Sequence, residues 1–226
     1  MQIFRISPAS LLVAVLSLPV SNAADDSPSI TLGAPFRDNA VLQRAMRVPV
    51  WGWSTPGTHI RVHFAGQVKT ATAGHDGKWI LALDELEASF EPRRIVVSDN
   101  RGNSVTLNNI LVGEVWLASG QSNMQWLSGK SSSSQLKVKP VGDLKVAPIR
   151  EFEVTSVVAM LHPIEKADGT WKNGDYGNYS AIAFAFAHTL YGELDVPIGI
   201  LNCSFSQTSI QAWIPREGFR DGKDEY

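Results

Sequence analysis

A serine that could act as a nucleophile lies in the most distinctive segment of this sequence. Residues 113–124 read GEVWLASGQSNM, and residues 115–118 predict a buried strand that leads directly to Gly120 and Ser122. A glycine after a strand permits a sharp turn, which can leave a following serine hydroxyl uncovered at the end of a sheet. Backbone amides after such a turn could stabilise the oxyanion of an acyl-transfer reaction. The alternative is that Ser122 only caps the helix that follows.

A helix and a second buried strand follow later in the chain. Residues 180–194 predict a helix that Ser180 can cap and that Pro197 prevents from continuing. Its predicted apolar face consists of Ala183, Phe186, Ala187 and Leu190. Residues 197–201 then predict a buried strand, and the order strand, helix, strand indicates a parallel sheet with right-handed crossovers.

The serine segment and residues 201–213 together resemble the sialate O-acetylesterase family, a branch of the SGNH hydrolases. In that family VWLASGQSNM surrounds the nucleophilic serine, and a later segment runs close to INxSWGGTxIEAW; this chain has LNCSFSQTSIQAW there. The resemblance implies that Ser122 is the nucleophile and that its backbone amide is one oxyanion donor. It also makes Gln121, Asn123 and Trp213 candidate substrate-binding residues.

Ser206 and Gln207 replace the paired glycines of the family's second segment. A glycine amide there donates to the oxyanion, so the amide of Ser206 or Gln207 is the implied second donor. Serine and glutamine adopt positive φ poorly, however, and a lost donor costs about a hundred- to a thousandfold in rate. The alternative is a strand end capped by Thr208 with no catalytic role.

The sequence contains no recognisable general base for the serine. Its five histidines are His59, His63, His75, His162 and His188. The family's Asp-x-x-His segment and its Gly-Glu-Ser-Asn segment are both absent. The chain is therefore interpreted as an amino-terminal fragment of a longer enzyme or as a degenerate copy, with His162 as a substitute base the third alternative. Because losing triad members lowers kcat by about 10⁴ to 10⁶, we expect this chain alone to be inactive.

The resemblance and the residue patterns predict an α/β fold in three parts. Residues 1–23 predict a signal peptide, 24–110 a small β-sandwich, and 111–226 an incomplete SGNH-type parallel α/β domain. A parallel sheet that is cut short would have an unpaired edge and an uncovered apolar face. The candidate strands of the first half are residues 29–32, 48–51, 59–64, 68–72, 79–83, 95–98 and 105–107.

Composition limits the compartment and the partners. The chain begins with a short basic region and an apolar stretch, and a small-x-Ala cleavage site follows at residues 21–23. This arrangement predicts export to the periplasm or medium, with no membrane attachment after cleavage. The formal net charge of −2 provides no basic field for nucleic acid. Cys203 is the only cysteine, so no internal disulfide is expected, and it is interpreted as a small buried side chain. The resemblance implies neither a metal nor an organic cofactor.

Two functions remain open from the sequence. By resemblance, the complete enzyme would remove O-acetyl groups from a carbohydrate, either an acetylated sialic acid or an acetylated plant polysaccharide such as xylan. The alternative is a non-catalytic exported protein whose β-sandwich binds carbohydrate through Trp51, Trp53 and Trp79. Trp51 and Trp53 share one side of their strand, and we expect that side to pack between sheets. Trp126 and Trp213 could each stack on a sugar ring or belong to the core. The oligomeric state is not indicated.

Overall fold

The computed structural model describes residues 30–142, 146–157 and 164–214, together with Gly218. The predicted signal peptide, Ser29 and His162 lie outside these residues. The strands are β1 (Ile30–Leu32), β2 (Val41–Gln43), β3 (Val48–Ser54), β4 (His59–Phe64), β5 (Gln67–Thr72), β6 (Lys78–Leu83), β7 (Ser89–Asp99), β8 (Ser104–Gly120), β9 (Ile149–Val154), β10 (Gly169–Asn173) and β11 (Ile198–Ser204). The α-helices are α1 (Ser122–Gln125) and α2 (Ala181–Leu194). Single 3₁₀ turns occupy Ser128–Lys130, Ser132–Gln135, Tyr176–Asn178 and Ile210–Trp213.

One long strand, β8, connects the all-β half to the half that contains the helices. The strands form a sheet of order β1-β3-β6 and a larger sheet of order β10-β9-β11-β8-β7-β4-β5, in which β2 also pairs with β8. The first part of β8 pairs antiparallel with β7 as far as Val112, and its last part, from Glu114 to Gly120, pairs parallel with β11. The predicted mixed α/β chain with a mostly sheet core is confirmed. The boundary at residue 110 stays a prediction, and β8 runs across it.

The small sheet packs on the first part of the large sheet through one hydrophobic cluster. Alternate residues of β4 and β6, among them Val62, Phe64, Trp79 and Leu83, point into this cluster and are almost fully buried. Each large apolar side chain buried in this way contributes about 1.5–3 kcal/mol. The period-two alternation in the sequence located these strands because one face of each is solvated.

The three tryptophans of the carbohydrate-binding alternative do not form an exposed row. Trp79 is buried, and Trp51 packs against the core with its ring edge-to-face on Phe36, the centroids 4.8 Å apart. Trp53 is partly covered by the ammonium group of Lys166, 5.0 Å from the ring centroid. The expectation that this side packs between the sheets is wrong, because the buried face of β3 carries Val48 and Val50. Both tryptophans of β3 lie half-buried on its other face.

Helix α2 begins and ends as the sequence predicted, but one residue of its predicted face is wrong. The Ser180 hydroxyl accepts from the Ala183 amide at 3.3 Å, and Asp195 closes the helix in the left-handed conformation, φ +49°. Ala183 and Ala187 are buried, whereas Phe186 is 43% exposed and Phe184 takes the buried position. The helix therefore packs on the sheet with a face rotated from the predicted one.

Residues 115–118 form a strand as predicted, but the prediction that this strand is buried is wrong. Trp116 is 44% exposed and Leu117 is 70% exposed. These side chains are exposed because β7 stops pairing with β8 at Val112. Beyond Gly113, β11 is the only strand that pairs with β8 among the described residues. Phe186 lies edge-to-face on Trp116, centroids 5.2 Å apart, so helix and strand expose apolar groups together. The expected unpaired edge and uncovered apolar face are thus confirmed within the part of the chain that the structure describes.

Candidate active site

Ser122 lies on the surface at the carboxyl end of β8. Gly120 turns the chain at φ +144°, and α1 begins at Ser122. The N-cap residue is Gln121 rather than Ser122, so helix capping does not account for the serine. The Ser122 hydroxyl donates to Gln121 Oε1 at 3.2 Å, and the Ser122 amide reaches the same oxygen at 3.4 Å. The nucleophile candidate is therefore exposed, and its hydroxyl contacts an amide oxygen that cannot act as a base.

The loop after β11 lies directly beside this turn. Ser204 is opposite Gly120 in the parallel register, and the Phe205 amide donates to the Gly120 carbonyl at 2.9 Å. The hydroxyl of Thr208 donates to the Phe205 carbonyl at 2.8 Å and thus stays within the turn. Parallel strands end at one edge of a sheet, and this geometry brings the two sequence segments of the predicted site together.

Gln207 occupies the conformation that glycine favours. Its φ is +62°, a left-handed geometry that costs a non-glycine residue about 1–2 kcal/mol. The paired glycines of the resembled family fit this turn for the same reason. The fold therefore keeps the glycine-type turn although the glycines have been replaced.

The two predicted loop donors differ in availability. The Ser206 amide donates to Gln125 Oε1 at 3.1 Å, and the Ser206 hydroxyl contacts the same oxygen. No acceptor within the described ranges takes the Gln207 amide, and Gln207 is exposed. Of these two amides, only that of Gln207 is free to face a substrate. Sequence reasoning did not identify Gln125, whose one available signal was its position three residues after Ser122.

Two cavities open beside the turn and share Trp213 as a wall. One of about 450 Å³ is lined by Cys203, Phe205 and Thr208 as well as Trp213. The other, of about 250 Å³, touches Gly120 and Gln121. The Trp213 indole donates to the Thr208 hydroxyl at 2.9 Å, which fixes the ring against the loop. Cys203 is only partly buried, so its interpretation as a buried side chain is wrong.

A third cavity, of about 460 Å³, lies on the α2 side of the serine turn. Asn123, Trp126 and Ser131 contribute to its lining. Trp126 is 57% exposed, and its indole donates to the Lys130 carbonyl at 3.1 Å. Trp126 is therefore a surface residue, and Asn123 and Gln121 each border a cavity next to Ser122.

The buried carboxylate of Glu151 lies in a hydrogen-bond network next to the end of β11, where the loop begins. Glu151 in β9 is fully buried and accepts from the Ser180 amide at 2.8 Å, the Lys172 ammonium at 3.2 Å and the Asn202 side-chain amide at 3.3 Å. Asn202 in turn accepts from the Ser204 hydroxyl at 2.8 Å. Burial raises the pKa of Glu151, and the nearby Lys172 charge opposes that rise. The network joins β9, β10, β11 and the start of α2 under the end of β11.

No histidine among the described residues forms a hydrogen bond with Ser122. His188 contacts the Lys137 carbonyl at 3.3 Å, and His59 contacts the Thr72 hydroxyl at 3.0 Å. The described part also holds no group of three histidine, cysteine, aspartate or glutamate side chains able to bind a metal. None of its helices has the length and apolarity needed to cross a membrane. The described residues thus supply a serine, an amide and cavities, but no base.

Comparison with known proteins identifies relatives along most of this chain. It is 30% identical to human sialate O-acetylesterase over 89% of its own length and 42% of the relative's, and 26% identical to the rat protein over 83% and 38%. The structure is similar to a carbohydrate acetylesterase from Xanthomonas citri, with a TM-score of 0.74 and 33% identity over 85% of this chain and 44% of that one. A scan against family models found no match.

The chain thus spans about two fifths of the length of the curated relatives it matches. The relatives share one name, and the similar solved structure matches 85% of this chain in both sequence and fold. Along most of its length this chain is therefore similar to sialate O-acetylesterases in sequence and to a carbohydrate acetylesterase in fold.

Proposed function

We propose that this chain carries the nucleophile and part of the oxyanion site of an SGNH-type carbohydrate O-acetylesterase. The observation that carries the proposal is the exposed Ser122 hydroxyl at the end of β8, with the loop after Ser204 held against the same turn. The similarity to sialate O-acetylesterases and to a carbohydrate acetylesterase supports an ester of an acetylated carbohydrate as the substrate class. Acetylated sialic acids and acetylated plant polysaccharides are the two candidates.

The proposed reaction has two steps. Ser122 Oγ attacks the acetyl carbonyl carbon while a base takes the hydroxyl proton, and the tetrahedral intermediate collapses to acetyl-serine as the sugar oxygen leaves with that proton. Water then attacks the acetyl-serine, gives a proton to the base, and releases acetate and the free serine hydroxyl. The amide of Gln207 would hold the oxyanion in both steps, together with the Ser122 amide, which would exchange its 3.4 Å bond to Gln121 Oε1 for the substrate oxygen.

The base and its orienting carboxylate are assigned outside the described residues. Ser122 Oγ contacts only Gln121 within them, and a serine without a neighbouring base is a weak nucleophile at neutral pH. An Asp-x-x-His segment of a longer product is the proposed source, with His162 as the other candidate. The 226-residue chain should therefore hydrolyse esters slowly or not at all by itself.

Export and domain organisation belong to the same proposal. Residues 1–23 would be removed as a signal peptide, which would place the enzyme in the periplasm or the medium, where acetylated polysaccharides occur. The first seven strands and the first part of β8 would then form a β-sandwich in front of the hydrolase part. The packing of the small sheet on the large one supports this division.

Acetate release tests the proposal. The chain and the longest product of its reading frame are assayed with p-nitrophenyl acetate and with acetylated sialic acid and xylan, as wild type and as Ser122→Ala. We expect activity at neutral pH to fall by at least about a thousandfold in Ser122→Ala. Ser134→Ala, at another exposed serine, is the matched control and should retain the wild-type rate. Undiminished hydrolysis by Ser122→Ala, or no hydrolysis by either form of the wild type, would refute the proposal.

A further inference from the structure

Gln125 connects the serine helix to the loop that follows β11. Its side-chain Nε2 donates to the Ser204 carbonyl at 3.1 Å, and its Oε1 accepts from the Ser206 amide at 3.1 Å and from the Ser206 hydroxyl. One side-chain amide thus uses both its donor and its acceptor on backbone groups two residues apart. A residue of a neighbouring parallel strand would bond to these groups in the same way.

This connection replaces strand pairing at the point where it ends. The ladder between β8 and β11 ends at Gly120 and Ser204, because Gly120 turns the chain away into α1. The one further backbone bond between them runs from the Phe205 amide to the Gly120 carbonyl. Beyond it, Gln125 is the residue that attaches the loop to α1 in the region the structure describes.

We propose that Gln125 is a positioning residue, which sets the second oxyanion donor relative to Ser122. Gln125 lies in the same four-residue helix as Ser122, so a bond from Gln125 to the loop fixes the loop with respect to the nucleophile. Because it holds the Ser206 amide, the amide of Gln207, the next residue, is the one of the two that no acceptor within the described ranges takes. The proposal rests on the function proposed above, since it assumes that Ser122 is the nucleophile.

The left-handed turn at Gln207 makes this support necessary. A glutamine at φ +62° has other conformations of lower energy, so the turn would relax if nothing held its neighbours. The bonds of Gln125 to Ser204 and Ser206 restrain the residues just before it. Gln125 therefore acts through Gln207 and makes no contact with substrate in this assignment.

Amide hydrogen exchange measures the connection without requiring catalysis. In Gln125→Ala, the Ser206 amide should exchange at least about tenfold faster than in the wild type, because its acceptor is gone. The amide of Ile200, inside β11, should be unchanged. Gln125→Glu keeps the acceptor oxygen and should keep the Ser206 amide protected from exchange. Unchanged exchange at Ile200 in Gln125→Ala would show that its faster Ser206 exchange does not come from unfolding. Gln135→Ala, at an exposed glutamine, is the matched control.

Kinetics of the active product then test the consequence. Gln125→Ala should lower kcat about ten- to a hundredfold with KM changed less than about threefold, because the oxyanion donor matters most in the transition state. Unchanged Ser206 exchange would overturn the connection, and faster exchange with unchanged kcat would overturn the positioning role. A wild type that shows no Ser122-dependent hydrolysis would refute the proposed function instead, and the exchange result would still decide whether Gln125 holds the loop.

Discussion

Replacing Arg150 with methionine should destabilise the chain where its two halves meet. The Arg150 side chain in β9 is fully buried and pairs with no carboxylate of residues 30–142, 146–157 or 164–214. Its guanidinium donates to the Asn39 carbonyl at 2.9 Å, the Asn109 carbonyl at 2.5 Å and the Asn109 side-chain oxygen at 2.9 Å. Asn39 and Asn109 both have positive φ, +70° and +58°, so the arginine holds two unusual turns together.

The expected loss follows from two opposing effects. Methionine leaves four oxygens without this donor: the three above and the Ala147 carbonyl, which accepts from Arg150 Nε at 3.4 Å. Each unsatisfied buried acceptor costs about 1–3 kcal/mol. Against this, the variant no longer buries a charge, since burial lowers the pKa of Arg150 to about 10 and the group is still protonated at neutral pH. Removing the cost of the buried charge returns several kcal/mol of stability. After this gain is subtracted from the cost of the unsatisfied oxygens, the free energy of unfolding should fall by about 3 kcal/mol.

Urea unfolding at neutral pH, followed by circular dichroism and tryptophan fluorescence, measures this loss. Arg37→Met is the matched control, because Arg37 pairs with Asp168 on the surface and an exposed pair contributes about 1 kcal/mol or less. Arg150→Lys keeps the charge with fewer donors and should be intermediate. An Arg150→Met variant as stable as the wild type would refute the reasoning, because it would show that the carbonyl oxygens find other donors.

Two further predictions concern residues at and below the site. Gln207→Gly should raise the free energy of urea unfolding by about 0.5–1 kcal/mol, because relief of the positive φ exceeds the extra entropy that glycine loses on folding. Ser209→Gly, at φ −78°, is the control and should lower it, and the same sign in both variants would contradict the argument. Glu151 has a folded pKa raised above 4.5 by burial, so the folded state binds its proton more tightly and stability falls as pH rises from 4.5 through the folded pKa. In urea titrations between about pH 4 and pH 8, Glu151→Gln should remove this fall in the free energy of unfolding. Glu87→Gln, at an exposed carboxylate, is the control and should retain the fall. A wild-type profile without the fall would disprove the assignment.

Much of the fold was accessible from local patterns. The strands from β3 to β6 were located to within a few residues because they alternate apolar and polar side chains over one solvated face. Helix α2 was located by its capping serine and the following proline. β2 and β10 were missed, since three- and five-residue strands carry too few side chains to show a period.

The polar and apolar pattern of the sequence did not predict burial in a strand whose two faces are both covered. Arg150 and Glu151 in β9 are both fully buried although they are charged residue types. β9 lies between β10 and β11 in the large sheet. Helix α2 covers one face of β9, and the hydrophobic cluster between the two sheets covers the other. Its polar side chains must therefore form their hydrogen bonds inside the protein. No local signal distinguishes such residues, because their partners are distant in the sequence.

The sequence alone determined the chemistry that is available here: a serine after a glycine turn, a second segment with two residues in place of glycines, and the family that both resemble. Only the tertiary structure decided which groups are free to react. It directed the Ser206 amide to Gln125, left Gln207 in a left-handed turn, and exposed Trp116 at an open edge. Residue types and their spacing determine which turns and strands can form, but whether a given amide or side chain is occupied depends on neighbours that the chain brings together only by folding.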